Sequence, residues 1–144
     1  MNEMFKDKFP MWFCGNLAAC DFADTIWQVA QDWDDLVDDG KQSNEFISWL
    51  AFGKEYSPFF AANSDLLRPA LLTMYLQWEA ANVMERGDRN DVDKALMLRA
   101  GIYGVFHLMA WICGGNKWAV EIGPDIYRYY GETADQLFEE MQNA

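Results

Sequence analysis

The sequence predicts an all-α protein, a compact helical bundle of about five to seven helices around a central apolar antiparallel hairpin. Apolar residues recur at helical spacing, and the alternation of apolar and polar residues that marks strands is weak throughout. Only four prolines interrupt the 144 residues. Hydrophobic residues make up 51% of the chain, enough to build a core despite a net charge of −12. No linker or repeat divides the sequence, so we expect one domain over residues 1–144.

Capping residues, prolines and glycines indicate where the first helices begin and end. Residues 16–37 form the first long predicted helix. Ser43 or Asn44 can cap a short helix that stops at Gly53. Pro58 then occupies a position natural for the first residue of a single helical turn.

A long helix is predicted over residues 66–86, with Pro69 in its first turn and Gly87 as a left-handed stop. On a helical wheel this helix is apolar on almost every side, apart from one narrow polar stripe.

The next predicted helix, residues 90–113, opens at Asn90 with Asp93 in the geometry of a capping box and closes at residues 114–115. It is apolar all round from residue 100 onward. Because only a short loop separates it from the preceding helix, we expect the two to form the central antiparallel hairpin.

The C-terminal region is predicted to hold three short helices. They cover residues 116–122, residues 124–130 and a last helix ending at residue 141. Thr133 with Gln136 supplies the cap of the last one.

Composition excludes several classes of protein. There are 11 Lys and Arg against 23 Asp and Glu, so a phosphate backbone is a poor ligand and we expect no nucleic acid partner. Cys14, Cys20 and Cys113 lack the spacing of a zinc or redox site, which favours free buried thiols in a reducing compartment. The charge-free stretch between Arg99 and Lys117 is shorter than a bilayer requires, so we expect no membrane span.

Acidic residues crowd the end of the first long helix. An Asp-Asp-x-x-Asp-Asp spacing places carboxylates at i and i+4, an arrangement that can hold Mg²⁺ for diphosphate chemistry. The four candidate ligands are Asp34, Asp35, Asp38 and Asp39. The run resembles the first aspartate-rich motif of class I isoprenoid synthases. Those enzymes are much longer and carry a second acidic motif, for which only residues 88–93, expected in a loop, are a candidate here.

The helical wheel favours a different role for most of these acids. They fall opposite the apolar face, as expected for a surface that meets water or a partner protein. Only Asp34 and Asp38, beside Trp27 at the boundary between the faces, are placed to point into a cleft. The acidic residues predicted to contact a partner are Asp21, Asp24 and Asp32.

Arg99, Tyr103 and His107 form a polar stripe on an otherwise apolar helix. A buried arginine needs a counter-charge, and Glu79 or Glu85 on the neighbouring helix is the natural partner. No Ser, Cys or Thr lies at a spacing from His107 that would indicate a catalytic pair. We therefore expect a hydrogen-bonded structural histidine.

The C-terminal segment is dense in aromatic residues next to arginine, which is typical of interaction hot spots and also of a helix that covers a core. The residues concerned are Trp118, Tyr127, Arg128, Tyr129 and Tyr130. The three tyrosines cannot all face one way, so at least one should be exposed.

Several short motifs, taken together, resemble a group of short, all-helical proteins encoded by bacteriophages. The motifs are Trp33-Asp34-Asp35-Leu36-Val37-Asp38, Glu85-Arg86, Leu98-Arg99, Gly114-Gly115-x-x-Trp118 and Glu121-x-Gly123-Pro124-x-Ile126-x-Arg128. The resemblance covers about the last four-fifths of the chain and implies a phage origin. Because the group has no assigned activity, it supplies no catalytic or cofactor-binding residues.

The resulting hypothesis is a non-enzymatic virion or assembly protein: a head–tail, tail or ejected internal component. It would act through contacts with other phage proteins or as a homo-oligomer, in the virion or the host cytoplasm. Two alternatives stay open. One is a Mg²⁺-dependent phosphate or diphosphate enzyme built on Asp34 and Asp38, and the other is an acidic inhibitor of a host protein.

Overall fold

The computed structural model describes residues 3–38 and 57–143, with side chains at all of these except residues 36–38. A 3₁₀ turn, Glu3–Phe5, precedes six helices. They are α1 (Lys8–Trp12), α2 (Leu17–Asp38), α3 (Pro58–Met84), α4 (Arg89–Arg99), α5 (Gly101–Arg128) and α6 (Ala134–Gln142). Every regular element in the described ranges is helical, which confirms the all-α prediction.

The N-terminal segment, where no helix was predicted, contributes the centre of the core. Phe5, Phe9, Trp12 and Phe13 are all completely buried. They surround Phe106 of α5, whose ring centroid lies 5.2 Å from that of Phe9 and 5.7 Å from that of Phe5. Aromatic side chains bury more apolar surface than any other residue type, so this short segment anchors the bundle.

Helix α2 agrees with its prediction within one residue at each end. Asn16 caps it, because the backbone N–H of Ala19 donates to the Asn16 side-chain oxygen at 3.0 Å. Phe22, Ala23, Ile26 and Trp33 are buried, as expected for its apolar face. The predicted short helix over residues 43–53 lies outside the described residues.

Helix α3 joins the predicted turn to the predicted long helix. Ser57 caps it by accepting from the backbone N–H of Phe60 at 3.3 Å, and Pro58 follows as its first residue. Asn63 interrupts the helix with φ −131° and ψ 24°, and its side-chain amide donates to the Phe59 carbonyl at 2.9 Å. The placing of Pro69 in a first turn is wrong, since it lies inside α3, in the second turn after this break.

The predicted helix over residues 90–113 is divided at Ala100, where α4 ends and α5 begins. Its cap is also different from the prediction: Asp88, not Asn90, accepts from the backbone N–H of Asp91 at 2.9 Å. Gly87 does not have the positive φ of a left-handed stop. A side chain there would instead collide with that of Asp91, so close packing explains this glycine.

The chain turns back on itself within α5 at the double glycine, where the sequence predicts only the end of a helix. Gly115 has φ 83° and ψ −178°, a conformation that L side chains rarely adopt. The two halves then pack against each other: His107 Nε2 donates to the Ala119 carbonyl at 2.8 Å, and a Cβ on Gly123 would lie 2.8 Å from the same nitrogen.

The predicted helix start at Pro124 is wrong, because this proline lies inside the second half of α5. A proline removes the hydrogen bond to the carbonyl four residues earlier. That residue is Val120, which is 69% exposed, so water can satisfy its carbonyl oxygen. At the following helix, α6, the predicted capping box between Thr133 and Gln136 is present in both directions.

The predicted central hairpin is present, with its second arm in two pieces. Helix α3 packs along both α4 and α5, and α5 also contacts α1 and α2. Helix α4 lies to the outside, where it buries only Val92 and Ala95, and α6 packs on it.

One stretch of the described chain, residues 89–128, is long and apolar enough to cross a membrane by length and composition. Its most apolar 18-residue window has a mean hydropathy of 1.5, and 33% of that window is buried. The core helix of a protein that never meets lipid satisfies the same two criteria. The expectation of no membrane span therefore stays a prediction.

The three cysteines are free thiols. Cys20 is buried and Cys113 half-buried, and burial raises the pKa of the Cys113 thiol to about 11. The prediction of a buried thiol is wrong for Cys14, which is exposed. It lies just past α1 with a positive φ of 53°, where the chain turns before α2.

Hydrogen bonds from two tryptophans fasten α1 to the second half of α5. Trp12 Nε1 donates to Asp125 Oδ2 at 2.8 Å, and Trp118 Nε1 donates to the Trp12 carbonyl at 2.9 Å. Lys8 Nζ also lies 3.7 Å from Asp125, but both side chains are more than a third exposed and such a pair contributes little.

Replacing Asp125 tests this fastening. Asp125→Ala leaves the buried Trp12 indole N–H without an acceptor, and we expect the free energy of unfolding to fall by about 1–3 kcal/mol in urea denaturation. Asp125→Asn is the matched control, because it keeps an acceptor oxygen while removing the charge. Equal destabilisation by both variants would mean that the charge, and not the hydrogen bond, is what matters.

Candidate functional site

A cavity of about 130 Å³ lies where four helices meet. Residues 27–34 of α2 form one side, and Met74 and Trp78 of α3 form the opposite side. The junction of α4 and α5 and the segment after α5 complete it. Among the described residues of this lining, Gln31 alone is exposed.

Five aromatic rings line the cavity. Trp33 of α2 and Trp78 of α3 are in contact, with ring centroids 3.7 Å apart. Trp27, Tyr103 and Tyr130 form a second chain of rings, with centroid separations of 6.4 Å and 5.5 Å. The break at Ala100 allows this arrangement, because it lets α4 follow α3 while Tyr103 enters the core on α5.

A network of charged and phenolic groups forms the remaining wall. Arg99 Nη1 donates to Glu85 Oε2 at 2.6 Å, and Arg99 Nε lies 3.6 Å from Glu132 Oε2. The Tyr130 hydroxyl donates to the same Glu132 oxygen. Two carboxylates therefore share one guanidinium, and of the two predicted partners, Glu79 and Glu85, it is Glu85 that pairs with Arg99.

Titration behaviour follows from this geometry. Burial by itself would lower the pKa of Arg99, but the carboxylates of Glu132 and Glu85 outweigh it and raise that pKa above its ordinary value. Burial raises the pKa of Tyr103 to about 12, and burial together with Glu132 raises the pKa of Tyr130. Both phenols thus stay neutral around neutral pH, and Arg99 stays charged.

Asp34 is half-buried and lines the cavity next to Trp27, as the wheel indicated. Among the described lining residues, the carboxylates of Asp34 and Glu132 and the guanidinium of Arg99 sum to a formal charge of −1 (two negative, one positive). Glu85 pairs with Arg99 without lining the cavity itself, and it adds a further negative charge next to the cavity.

The other acidic candidates are spread over the surface of α2. Asp21, Asp32 and Asp35 are exposed, and Asp24 is half-buried. The side chain of Asp38, and the whole of Asp39, lie outside the described residues. Their predicted roles in partner or metal binding therefore stay predictions.

The second acidic motif has structural partners. Asp88 caps α4, and Asp93 pairs with Arg89 at 3.0 Å within the same helix, so residues 88–93 begin a helix and do not form the expected loop. Among residues 3–35 and 57–143, no group of three His, Cys, Asp or Glu side chains converges as metal ligands would. The Mg²⁺ alternative stays a prediction.

The C-terminal aromatic candidates divide into two groups. Trp118, Tyr129 and Tyr130 pack against the core, and the Tyr129 hydroxyl donates to the Met4 carbonyl. Tyr127 is 46% exposed, as expected for at least one of the tyrosines, and Arg128 beside it is exposed as well. His107 lies between the two halves of α5, with Nδ1 3.1 Å from the Tyr127 hydroxyl, which agrees with a structural role.

Helix α3 carries a feature that the sequence analysis missed, a row of exposed apolar residues on its outer face. The row is Pro69, Leu72, Leu76, Ala80 and Val83. The three large members are 53%, 56% and 75% exposed, so the row is open to a partner. The signal in the sequence was a helical wheel that is apolar on nearly every side. One helix cannot bury all of its sides, so some of its apolar residues had to be exposed.

No protein-family model, curated protein or solved structure matches this chain. The resemblance to short bacteriophage proteins therefore stays a prediction from the motifs.

Proposed function

We propose that this chain is a non-enzymatic assembly protein that pairs with a second copy of itself through the outer face of α3. The observation that carries the proposal is the exposed apolar row from Pro69 to Val83. Burying such a row against another protein removes apolar surface from water, which is the main driving force of association.

The spacing within the row favours a second copy as the partner. Successive members are separated by three, four, four and three residues, so the pattern reads the same in both directions around Leu76. A two-fold axis brings identical surfaces together. In an antiparallel pair of α3 helices centred on Leu76, Leu72 would face Ala80 of the other copy, and large side chains would alternate with small ones.

Charge favours the same arrangement. Among the 27 residues of α3 only Asp65, Arg68 and Glu79 are charged, which sums to −1 in a chain of −12. This helix is therefore a surface on which two acidic copies can meet without strong repulsion. Asp65 and Arg86, both exposed, lie at opposite ends of the row, so antiparallel pairing places opposite charges together.

Leu76→Asp tests the proposed pairing. Two aspartates would then face each other at the two-fold axis, and we expect the dimer dissociation constant to rise at least about tenfold in analytical ultracentrifugation. Met97→Asp is the matched control, because Met97 is 77% exposed but lies on a different helix, α4. A wild-type chain that remains monomeric at high concentration would contradict the proposal, as would a Leu76→Asp variant that dimerises normally.

The resemblance to bacteriophage proteins supports a more specific role as a component of the virion. In that case the chain should be present in density-purified particles at a fixed ratio to the major capsid protein, as measured by quantitative mass spectrometry. Its presence only in the cytosol of infected cells would contradict the virion role and leave the self-association proposal standing.

A further inference from the structure

We propose that Cys14 and Cys113 form a modification site, a pair of thiols that a peroxide converts into an intramolecular disulfide. Cys14 lies just past α1, and Cys113 lies in α5 directly before the double glycine, so the two are far apart in sequence. The site does not depend on the proposed self-association through α3.

The turn inside α5 brings the two cysteines together. A Cβ placed on Gly114 would lie 2.9 Å from Cys14 Sγ, so this sulfur rests against the backbone of the residue that follows Cys113. Consecutive Cα atoms are only 3.8 Å apart across a peptide bond. The Cys14 sulfur is therefore one residue away from Cys113 along α5.

Electrostatic interactions between the thiols support the same pairing. Burial raises the pKa of the Cys113 thiol to about 11, and the thiols of Cys14 and Cys20 act in the same direction. Like charges have such an effect at short range. Cys14 has a larger effect than Cys20, which makes Cys14 the better partner for Cys113.

Glycines beside both cysteines give the backbone the freedom that closure of a disulfide needs. Gly15 follows Cys14 with φ 75°, and Gly115 lies two residues after Cys113 with φ 83°. Among the described residues, no atom lies within 4 Å of a Cβ placed on either glycine, so both turns have room to move. A disulfide requires its two Cα atoms to lie within about 7 Å, a distance that these turns can adjust to.

Exposure determines which thiol reacts first. Cys14 is exposed, whereas Cys113 is half-buried and burial keeps it protonated around neutral pH. Hydrogen peroxide oxidises the Cys14 thiol to a sulfenic acid and is itself reduced to water. The Cys113 sulfur then attacks the Cys14 sulfur: the S–S bond forms, the S–O bond breaks, and the hydroxyl leaves with the thiol proton as a second water. In a reducing compartment such a bond is transient, as in redox-sensing proteins.

Treatment of the full chain with hydrogen peroxide tests the proposal. We expect a monomer that has lost two hydrogen atoms in intact mass spectrometry, and a peptide cross-linked between Cys14 and Cys113 after digestion without reduction. Dithiothreitol should reverse both changes. Absence of this cross-link would overturn the proposal, as would a bond from Cys14 to Cys20 or to a second copy in its place.

Single variants separate the roles of the three thiols. Cys113→Ala should leave a sulfenic acid on Cys14 that dimedone labels at least about fivefold more than in the wild type. Cys14→Ser, a change at an exposed position, should abolish the cross-link. Cys20→Ala is the matched control, and the variant that retains its helical circular dichroism should form the cross-link normally. Loss of the cross-link in that control, or unchanged dimedone labelling of Cys113→Ala, would overturn the assignment.

The bond should also stabilise the native fold, because it closes a loop of about 100 residues. We expect the cross-linked chain to melt at least about 5 °C above the reduced chain, and peroxide should not raise the melting temperature of Cys14→Ser. A cross-linked chain that melts no higher than the reduced one would show that the bond distorts the native fold, and would overturn the proposal.

Discussion

The packing of the N-terminal aromatic residues around Phe106 is the interaction on which the rest of the fold depends. Phe5, Phe9, Trp12 and Phe13 come from two short turns that have little stability of their own, since isolated helices of this length do not persist in water. Their burial against α5 fixes them, and two hydrogen bonds of Trp12 then hold the second half of α5: its indole N–H donates to Asp125, and its carbonyl accepts from the Trp118 indole. Losing one such buried aromatic side chain would cost about 3–5 kcal/mol.

The packing of the N-terminal segment and α2 against α5 determines which faces of the other helices stay exposed. Because the N-terminal segment and α2 cover α5 on one side, α3 contacts the core along only one face, and its apolar outer face is left open. On the other side, the break at Ala100 separates α4 from α5 and leaves the cavity between Trp78 and Tyr103. The proposed interface and the cavity are thus consequences of the same architecture.

Local signals in the sequence predicted much of this fold, and contacts across the chain account for what they missed. The start of α2 near Asn16, the capping box at Thr133 and the helix end at the double glycine depend on neighbouring residues, so patterns of spacing were sufficient to find them. The break at Ala100, by contrast, is followed by Gly101, which does not adopt the positive φ of a left-handed stop, and Pro69 lies inside α3 because that helix begins earlier, at Pro58. The pairing of Arg99 with Glu85 was accessible from adjacent helices, whereas the contact between Trp33 and Trp78 required knowledge of how α2 packs on α3.

Self-pairing of α3 about Leu76 is the central claim, and disulfide trapping tests it most directly. In a background with exposed Cys14 replaced by serine, Leu76→Cys places one thiol from each copy at the proposed two-fold axis, whereas Leu66→Cys places an equally new thiol away from it. Under mild oxidation the account predicts rapid, nearly complete dimer formation by Leu76→Cys and little by Leu66→Cys, as read on a non-reducing gel. Equal and slow cross-linking of the two variants would contradict it.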